Sequence, residues 1–364
     1  MPPGFQVDAD ITRAWTLPSA VYTDAAVYES ARERIFAKGW QFAADVSAAR
    51  VPGQAHPFTL LEGCLDEPLL LVRDERDQLR ALSNVCTHRG NLVCEQGGVL
   101  NSLRCRYHGR RFGLDGSFAS MPEFEGAKDF PSPVDDLRSL PTAVWGPFVF
   151  VGLAPFLAFD EWIGPMRERV RWLPIEQCKF DPSRSRDYLV QANWALYCEN
   201  YLEGFHIPYV HSGLNTALDY GSYRTELFRY SNVQVGIGRG GEDVLHPPAG
   251  SPDHGQPIAG YYFWLFPNLM FNVYPWGVSI NVVRPLGVDR TRVSFLIYVW
   301  DAARLERGAG SDLDRVERED EAIVEAVQKG VRSRHYDRGR YSPTRETGTH
   351  HFHRLLAEFL GAGR

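Results

Sequence analysis

These 364 residues contain no run of basic side chains, no uninterrupted apolar span and no dense set of cysteines, and each shortage removes a class of function. With 39 Lys and Arg against 45 Asp and Glu, the net charge is −6, and no basic stripe offers nucleic acid a footprint. The longest uncharged stretch, 255–283, is long enough to cross a bilayer. It is interrupted by Pro257, Pro267, Asn268, Asn272, Pro275 and Gly277, so it reads as buried strands and turns. The start, Met1-Pro2-Pro3-Gly4-Phe5, lacks the charged segment and apolar run of a secretory signal, so a cytoplasmic protein is expected. No Gly-rich dinucleotide loop follows a strand, which leaves flavin and nicotinamide chemistry to a separate partner. The six cysteines, Cys64, Cys86, Cys94, Cys105, Cys178 and Cys198, are too sparse for a disulfide scaffold; ligation or burial is expected of them.

What is present has the length for two or three domains and an ordinary globular balance of 44% hydrophobic and 23% charged residues. Val27, Ala31 and Ile35 recur at helical spacing and predict a helix from about Asp24 to Lys38. Short β-type runs follow at 57–61, 69–72, 79–85 and 148–151, separated by polar turns such as Asp74-Glu75-Arg76-Asp77. They predict a small antiparallel β domain over 39–152, with 1–38 and 153–364 forming a second domain. In that second part, strands are expected at 260–266, 269–274, 278–284 and 292–300. A helix is expected over 312–331, and an amphipathic final helix carries Phe352, Leu355, Leu356, Phe359 and Leu360. The fold class expected is α+β.

Two constellations carry chemistry. The first is Cys86-Thr87-His88-Arg89-Gly90 with Cys105-Arg106-Tyr107-His108-Gly109, a C-x-H and a C-x-x-H separated by sixteen residues. Two thiolates and two imidazoles suit a zinc knuckle. One thiolate and one imidazole per turn suit better a two-iron cluster in which both Cys hold one iron and both His the other. Gly90 and Gly109 let the backbone approach such a cluster closely. The second constellation is Glu199 to His211. Glu203 is followed by His206 three residues on and by His211 five further, with Pro208 between them. Proline removes a backbone donor and breaks a regular helix, which allows both imidazoles to turn toward one point. Two histidines with a carboxylate from elsewhere match a non-haem Fe(II) site. A buried helix with one surface and one core histidine is the plain alternative.

The cluster pattern in the first third, followed about a hundred residues later by Asn200-x-x-Glu203-x-x-His206-x4-His211, resembles the catalytic α subunits of Rieske non-haem iron oxygenases, over essentially the whole chain. Glu203 in place of Asp, the run Val327-Gln328-Lys329-Gly330 and the ending His350-His351-Phe352-His353 look closest to the choline monooxygenase, or quaternary-ammonium, branch. The resemblance implies a Rieske [2Fe-2S] domain at 39–152 and a helix-grip catalytic domain formed by the rest of the chain. It implies cluster ligands Cys86, His88, Cys105 and His108, and mononuclear iron held by His206, His211 and Asp320, with Glu319 and Glu321 as near alternatives. It further implies a homotrimer in which the cluster of one subunit faces the iron of the next, Glu203 bridging from His206 to His108 of the partner subunit, and Asn200 bonding near the open iron position.

The implied reaction is O2-dependent hydroxylation of a C–H bond in a small substrate of the choline, betaine or carnitine type. Electrons would come from NAD(P)H through a separate flavin or iron–sulfur reductase or a ferredoxin. An aromatic-ring or aromatic-acid oxygenase is the alternative enzyme, and a Rieske electron carrier the non-enzyme alternative. Aromatic residues suited to caging a trimethylammonium head are Phe205, Tyr209, Phe263, Trp264, Tyr274 and Trp276. One departure stands out. Many members of the family have Pro after the third cluster ligand and Trp after the glycine, whereas this chain has Arg106 and Arg110; a different surface for the electron donor is expected.

Overall fold

A computed structural model describes residues 5–211, 213, 218–241, 243–311 and 313–361. The chain divides into two compact units, Ala37–Pro155 and Met1–Phe36 with Phe156–Arg364. The boundaries expected from the sequence, 39 and 152, fall two and three residues inside the first of these.

The larger unit begins with helices α1 (Ala20–Thr23) and α2 (Ala25–Arg34). Asp24 starts α2 by accepting the Ala26 amide at 2.7 Å, which satisfies one of the free donors of the first turn. The predicted helix to Lys38 stops sooner, at Arg34, and passes into a short 3-10 turn, Phe36–Lys38.

The smaller unit is built of short antiparallel strands. β1 (Trp40–Asp45), β10 (Thr142–Trp145) and β11 (Phe148–Gly152) pair in the order β1-β11-β10. β2 (Gln54–Leu60), β3 (Glu67–Arg73), β4 (Leu79–Ser83), β5 (Gly98–Val99) and β9 (Ser139–Leu140) pair in the order β5-β2-β3-β4-β9. A third sheet joins β6 (Leu103–Arg104), β7 (Arg111–Phe112) and β8 (Phe118–Ser120). Leu70, Val72 and Leu82 of the second sheet pack with Leu103 and Phe112 of the third, and Cys86 and Cys105 belong to the same apolar cluster.

In the larger unit, β12 (Lys179–Phe180), β13 (Arg186–Val190), β14 (Arg224–Leu227), β15 (Ser231–Ile237), β16 (Ile258–Leu265), β17 (Leu269–Tyr274), β18 (Gly277–Gly287) and β19 (Arg290–Val299) form one antiparallel sheet. Its order is β12-β19-β18-β17-β16-β15-β14, with β13 also pairing with β19. β15 and β17 are buried at every residue because helices cover the sheet. α3 (Phe159–Val170) packs on β15 and β16 and ties Trp162 Nε1 to the Phe266 carbonyl at 2.8 Å. α4 (Trp194–Tyr201) packs on β18, on α6 (Leu313–Gly330) and on α7 (Thr347–Gly361). Phe352 of α7 stands between Trp194 and Trp264, with ring centroids at 5.7 and 5.2 Å. The sequence placed the start of α6 at Asp312, which lies outside the described residues. Among the described residues no helix is long and apolar enough to cross a membrane.

The terminal histidines sit in this packing. His350 Nε2 reaches the Asp8 carbonyl at 2.8 Å, and His353 lies between Glu199 at 2.9 Å and the Tyr341 hydroxyl at 2.5 Å. All six cysteines are buried and none forms a disulfide.

Candidate active site

The helix break expected at Pro208 lies further upstream, between Tyr201 and Ile207, because Pro208 fits the start of the next helix. α4 ends at Tyr201 and a separate turn of helix, α5 (Ile207–Val210), carries Pro208 in its first turn, where its missing donor costs nothing. Gly204 lies in the connection. A Cβ there would meet the Tyr223 ring at 2.7 Å, so only glycine lets that ring pass. His206 and His211 flank α5 at its two ends, and their rings stand edge to face with centroids 5.0 Å apart.

Both imidazoles present Nε2 to one carboxylate of α6. Asp320 Oδ1 lies 3.0 Å from His211 Nε2 and 3.5 Å from His206 Nε2, and the three ligand atoms fall within 4.8 Å of one another. Bonds of ~2.1 Å to a common ion place neighbouring ligand atoms ~3 Å apart at right angles, so the spacing and the donor set of two histidines and one carboxylate fit a mononuclear iron. Among the described residues it is the one cluster of three such groups with this convergence.

The far nitrogens are held in matching fashion. His206 Nδ1 lies 2.7 Å from Glu203 Oε1, and His211 Nδ1 lies 2.8 Å from Glu319 Oε2. A carboxylate can only accept, so each Nδ1 carries the proton and each Nε2 keeps its lone pair for the ion. Burial pulls the His211 pKa down, but Asp320 and Glu319 outweigh it and raise it. Glu203 Oε2, which the sequence reading aimed at a neighbouring subunit, accepts the amides of Phe205 and, at 3.1 Å, His206. Glu319, an alternative ligand on sequence grounds, sits behind His211, while Glu321 does not enter the cluster.

The three groups open into a cavity of the larger unit. Asn200, Glu203 and Glu317 line it with Tyr201, Tyr223, Tyr262 and Tyr274. Of the six aromatic residues expected to cage a cation, Tyr274 alone is on this wall. Phe205 and Tyr209 are exposed, at 39% and 81%, because the short α5 turns them outward. Phe263 and Trp264 are consumed in the core, and Trp276 lines a neighbouring depression instead. Tyr223 and Tyr262 went unnoticed in the sequence. Strand alternation puts Tyr262 on a face opposite Tyr261, but does not say which face meets the site.

The smaller unit brings the other four predicted ligands onto two turns of the same design. Gly90 N bonds the Cys86 carbonyl at 3.0 Å, and Gly109 N bonds the Cys105 carbonyl at 3.1 Å. Both glycines have positive φ, +72° and +76°, which another residue would adopt only with strain. The thiols of Cys86 and Cys105 are in hydrogen-bonding reach of each other, and the His88 and His108 rings are 4.9 Å apart. Two adjacent thiols and two adjacent imidazoles fit a [2Fe-2S] centre with mixed ligation. Burial, then the charges of His108 and Arg110, lowers the His88 pKa and keeps it a neutral ligand.

The expectation that Arg106 and Arg110 both alter a docking surface is corrected in part. Arg106 is exposed and pairs with Glu95 at 2.8 Å. Arg110 is buried, with 2% of its side chain accessible. It is bonded to Asp135 at 2.6 Å and enclosed by the rings of Phe112, Phe118 and Phe130, so it belongs to the core.

Comparison with known proteins gives the following. Residues 170–362 match the ring hydroxylating alpha subunit (catalytic domain) family, and residues 39–131 match the Rieske [2Fe-2S] domain. The chain is 32% identical to the chloroplastic choline monooxygenase of Arabidopsis thaliana over 97% of its own length and 84% of that protein. It is 29% identical to the carnitine monooxygenase oxygenase subunit of Escherichia coli (strain K12), over 96% and 95% of the two chains. Among solved structures, the quaternary ammonium Rieske monooxygenase CntA in complex with L-carnitine superposes with a TM-score of 0.76 at 26% identity, covering 96% of each chain.

Proposed function

The chain belongs to the Rieske non-haem iron oxygenases with a ring-hydroxylating α-subunit catalytic domain, and from that premise we propose that it is a monooxygenase that hydroxylates a C–H bond of a quaternary ammonium compound. The observation that carries this reading is the opening of His206, His211 and Asp320 onto a cavity walled by tyrosines. Ring faces attract a cation that has no N–H to donate, which is the recognition problem a quaternary ammonium poses. Relatives of the choline and carnitine monooxygenase kind support it.

Held by these residues, the [2Fe-2S] cluster supplies a stored electron and the iron supplies dioxygen activation. The rest is the work of the chain. Cys86 and Cys105 ligate one iron of the cluster, and His88 and His108 the other. His206, His211 and Asp320 hold the mononuclear iron, while Glu203 and Glu319 fix the two imidazoles in the tautomer that leaves Nε2 free. The tyrosine wall binds the substrate and excludes water, and Asn200 offers its amide to the open side of the site.

Electrons arrive from a separate reductase, and the subunits close into a trimer so that the cluster of one serves the iron of the next. Inter-subunit electron transfer is described for CntA. Glu203 is the bridge in this scheme. Its Oε1, already bonded to His206, retains a second lone pair for His108 of the partner subunit.

The test is reductase-driven O2 uptake with product analysis across choline, glycine betaine, carnitine and aromatic acids. Coupled product from the quaternary ammonium compounds is expected. Coupled product from aromatic acids alone would overturn the substrate class while leaving the oxygenase chemistry in place.

A further inference from the structure

The cavity holds a carboxyl that the iron site does not use. Glu317 lies three residues before Asp320, hence on the same face of α6 and one turn away. Its side chain is buried, with 3% accessible. Oε2 accepts the Tyr197 hydroxyl at 2.6 Å, while Oε1 has no partner. A buried carboxyl oxygen with nothing to bond is costly unless a ligand completes it.

The other cavity carboxyls are engaged, Asp320 with both imidazoles and Glu203 with His206 Nδ1 and two backbone amides. Burial pushes the Glu317 carboxyl well up from its ordinary range. The charged groups that add to the rise, Asp320, Glu321 and Asp314, are acidic, and they are opposed by the Tyr197 hydroxyl of α4. Tyr188 of β13 is the further titratable group facing it. The empty cavity thus presents a carboxyl with no cation beside it.

The walls complete the picture. Tyr262 stands 5.9 Å from Tyr274 and 6.4 Å from Tyr223, ring centroid to ring centroid, and its hydroxyl is buried without a partner. No Arg or Lys lines the cavity among the described residues. Residues 212 and 214–217, which follow His211 in the chain, include none either. A cation entering this space meets ring faces and a carboxyl that its charge helps to ionise. A carboxylate entering it would lose its water, find no basic side chain and face Glu317 and Asp320.

Resting on the proposed substrate class, we propose that Glu317 is the counter-charge of the substrate cation, and that the cavity selects quaternary ammonium compounds whose far end is uncharged, such as a short amino alcohol, over those that end in a carboxylate. The unpartnered oxygen then pairs with the ammonium head one helical turn from Asp320, beside the ligand set, and the buried Tyr262 hydroxyl is left for the neutral polar tail.

The experiment is anaerobic calorimetric titration of the reduced holoenzyme with choline, L-carnitine and the uncharged choline isostere 3,3-dimethylbutan-1-ol, in wild type, Glu317→Gln and Glu317→Asp. Choline is expected to bind about tenfold or more tightly than either of the other two. Glu317→Gln should weaken choline about tenfold while leaving the isostere within about twofold, and Glu317→Asp should recover most of the loss. A wild-type preference for choline over its isostere near unity overturns the counter-charge role and needs no variant. Carnitine bound as tightly as choline overturns the selection. Coupled product from aromatic acids alone in the O2-uptake test would instead overturn the substrate class itself.

Discussion

Replacing Glu319 by alanine separates a group that holds a ligand from one that is a ligand. The two acids are consecutive on α6, yet the structure gives them opposite sides of His211: Asp320 Oδ1 is 3.0 Å from Nε2 and Glu319 Oε2 is 2.8 Å from Nδ1. His211 is buried, while Glu319 keeps 28% of its side chain accessible and shares its other oxygen with Arg315 at 3.1 Å. Groups that orient a ligand histidine are worth about 10–100-fold in metal affinity. The partial exposure of Glu319 puts the loss toward the lower end, about tenfold or ~1.4 kcal/mol. Glu319→Ala should therefore keep its iron on desalting and surrender it about ten times faster to a chelator. Asp320→Ala, lacking one of three protein ligands, should lose mononuclear iron on purification. Both variants should keep the visible spectrum of the [2Fe-2S] centre, because its ligands lie in the smaller unit. Metal analysis of the mononuclear iron, after subtraction of the cluster iron measured by absorbance, reads the difference. An iron-free Glu319→Ala beside an iron-replete Asp320→Ala would mean that the ligand has been assigned to the wrong acid.

Glu203→Gln should retain both metal centres and lower coupled product formation by about 100-fold, since its NH2 must face either the Phe205 and His206 amides or the two imidazoles, all of them donors; turnover at the wild-type rate would refute the bridge. His351 gives a stability prediction. Burial lowers its pKa from 6.5 to about 4, so the unfolded chain takes up a proton below pH 6.5 that the folded chain refuses until about pH 4, and stability falls across that window as the pH drops. Between pH 7 and 5 the cost is about 2 kcal/mol, so His351→Phe should lose about that much less than wild type in urea titrations at the two pH values; equal losses in both proteins would show that His351 does not titrate this way.

How much of this could be read in advance depends on how far apart in the chain the cooperating residues lie. The cluster turns span 86–109 and the histidine pair 206–211, so each declares itself as a local pattern. Pro208 signalled a break in the helix but put it between the histidines; α4 and α5 separate before His206, and the backbone from His206 to His211 is a single helical turn. The central strands were legible from apolar and aromatic runs, with ends displaced by a few residues: the run read as 260–266 is Ile258–Leu265, and that read as 278–284 is Gly277–Gly287. The cavity wall was not legible. It draws on α4, the residues before β14, β16, β17 and α6, and in a sheet covered on both faces alternation assigns faces without orienting them. Phe263 and Tyr262 are neighbours in sequence and equally aromatic; what distinguishes them is that one is packed into the core and the other faces an opening.

The same ambiguity governs the acids of α6, and there its resolution has a chemical meaning. Asp314, Glu317, Glu319, Asp320 and Glu321 lie within eight residues, and helical periodicity alone makes each a solvated side chain. Packing against α4 and the short α5 separates them by rotation. Asp320 faces both Nε2 atoms, Glu319 reaches round to the back of His211, and Glu317 points into the cavity with one oxygen unmatched. A rotation of one residue, about 100°, would bring Glu319 or Glu321 to the metal and Val316 or Arg318 to the place of Glu317, so the register of α6 against α4 fixes at once which acid meets the metal and which meets the substrate. That register is set by one contact in the cavity wall and two beyond it. Tyr197 donates to Glu317, Gln328 Oε1 accepts the Asn193 amide at 2.7 Å, and Glu325 accepts the Gln191 amide at 2.9 Å. The run Val327-Gln328-Lys329-Gly330, part of the resemblance that implies Asp320 as a ligand, thus contains a residue that pins the helix two turns beyond the site. A signature that carries no ligand can locate one because it fixes the rotation of the helix on which the ligand stands.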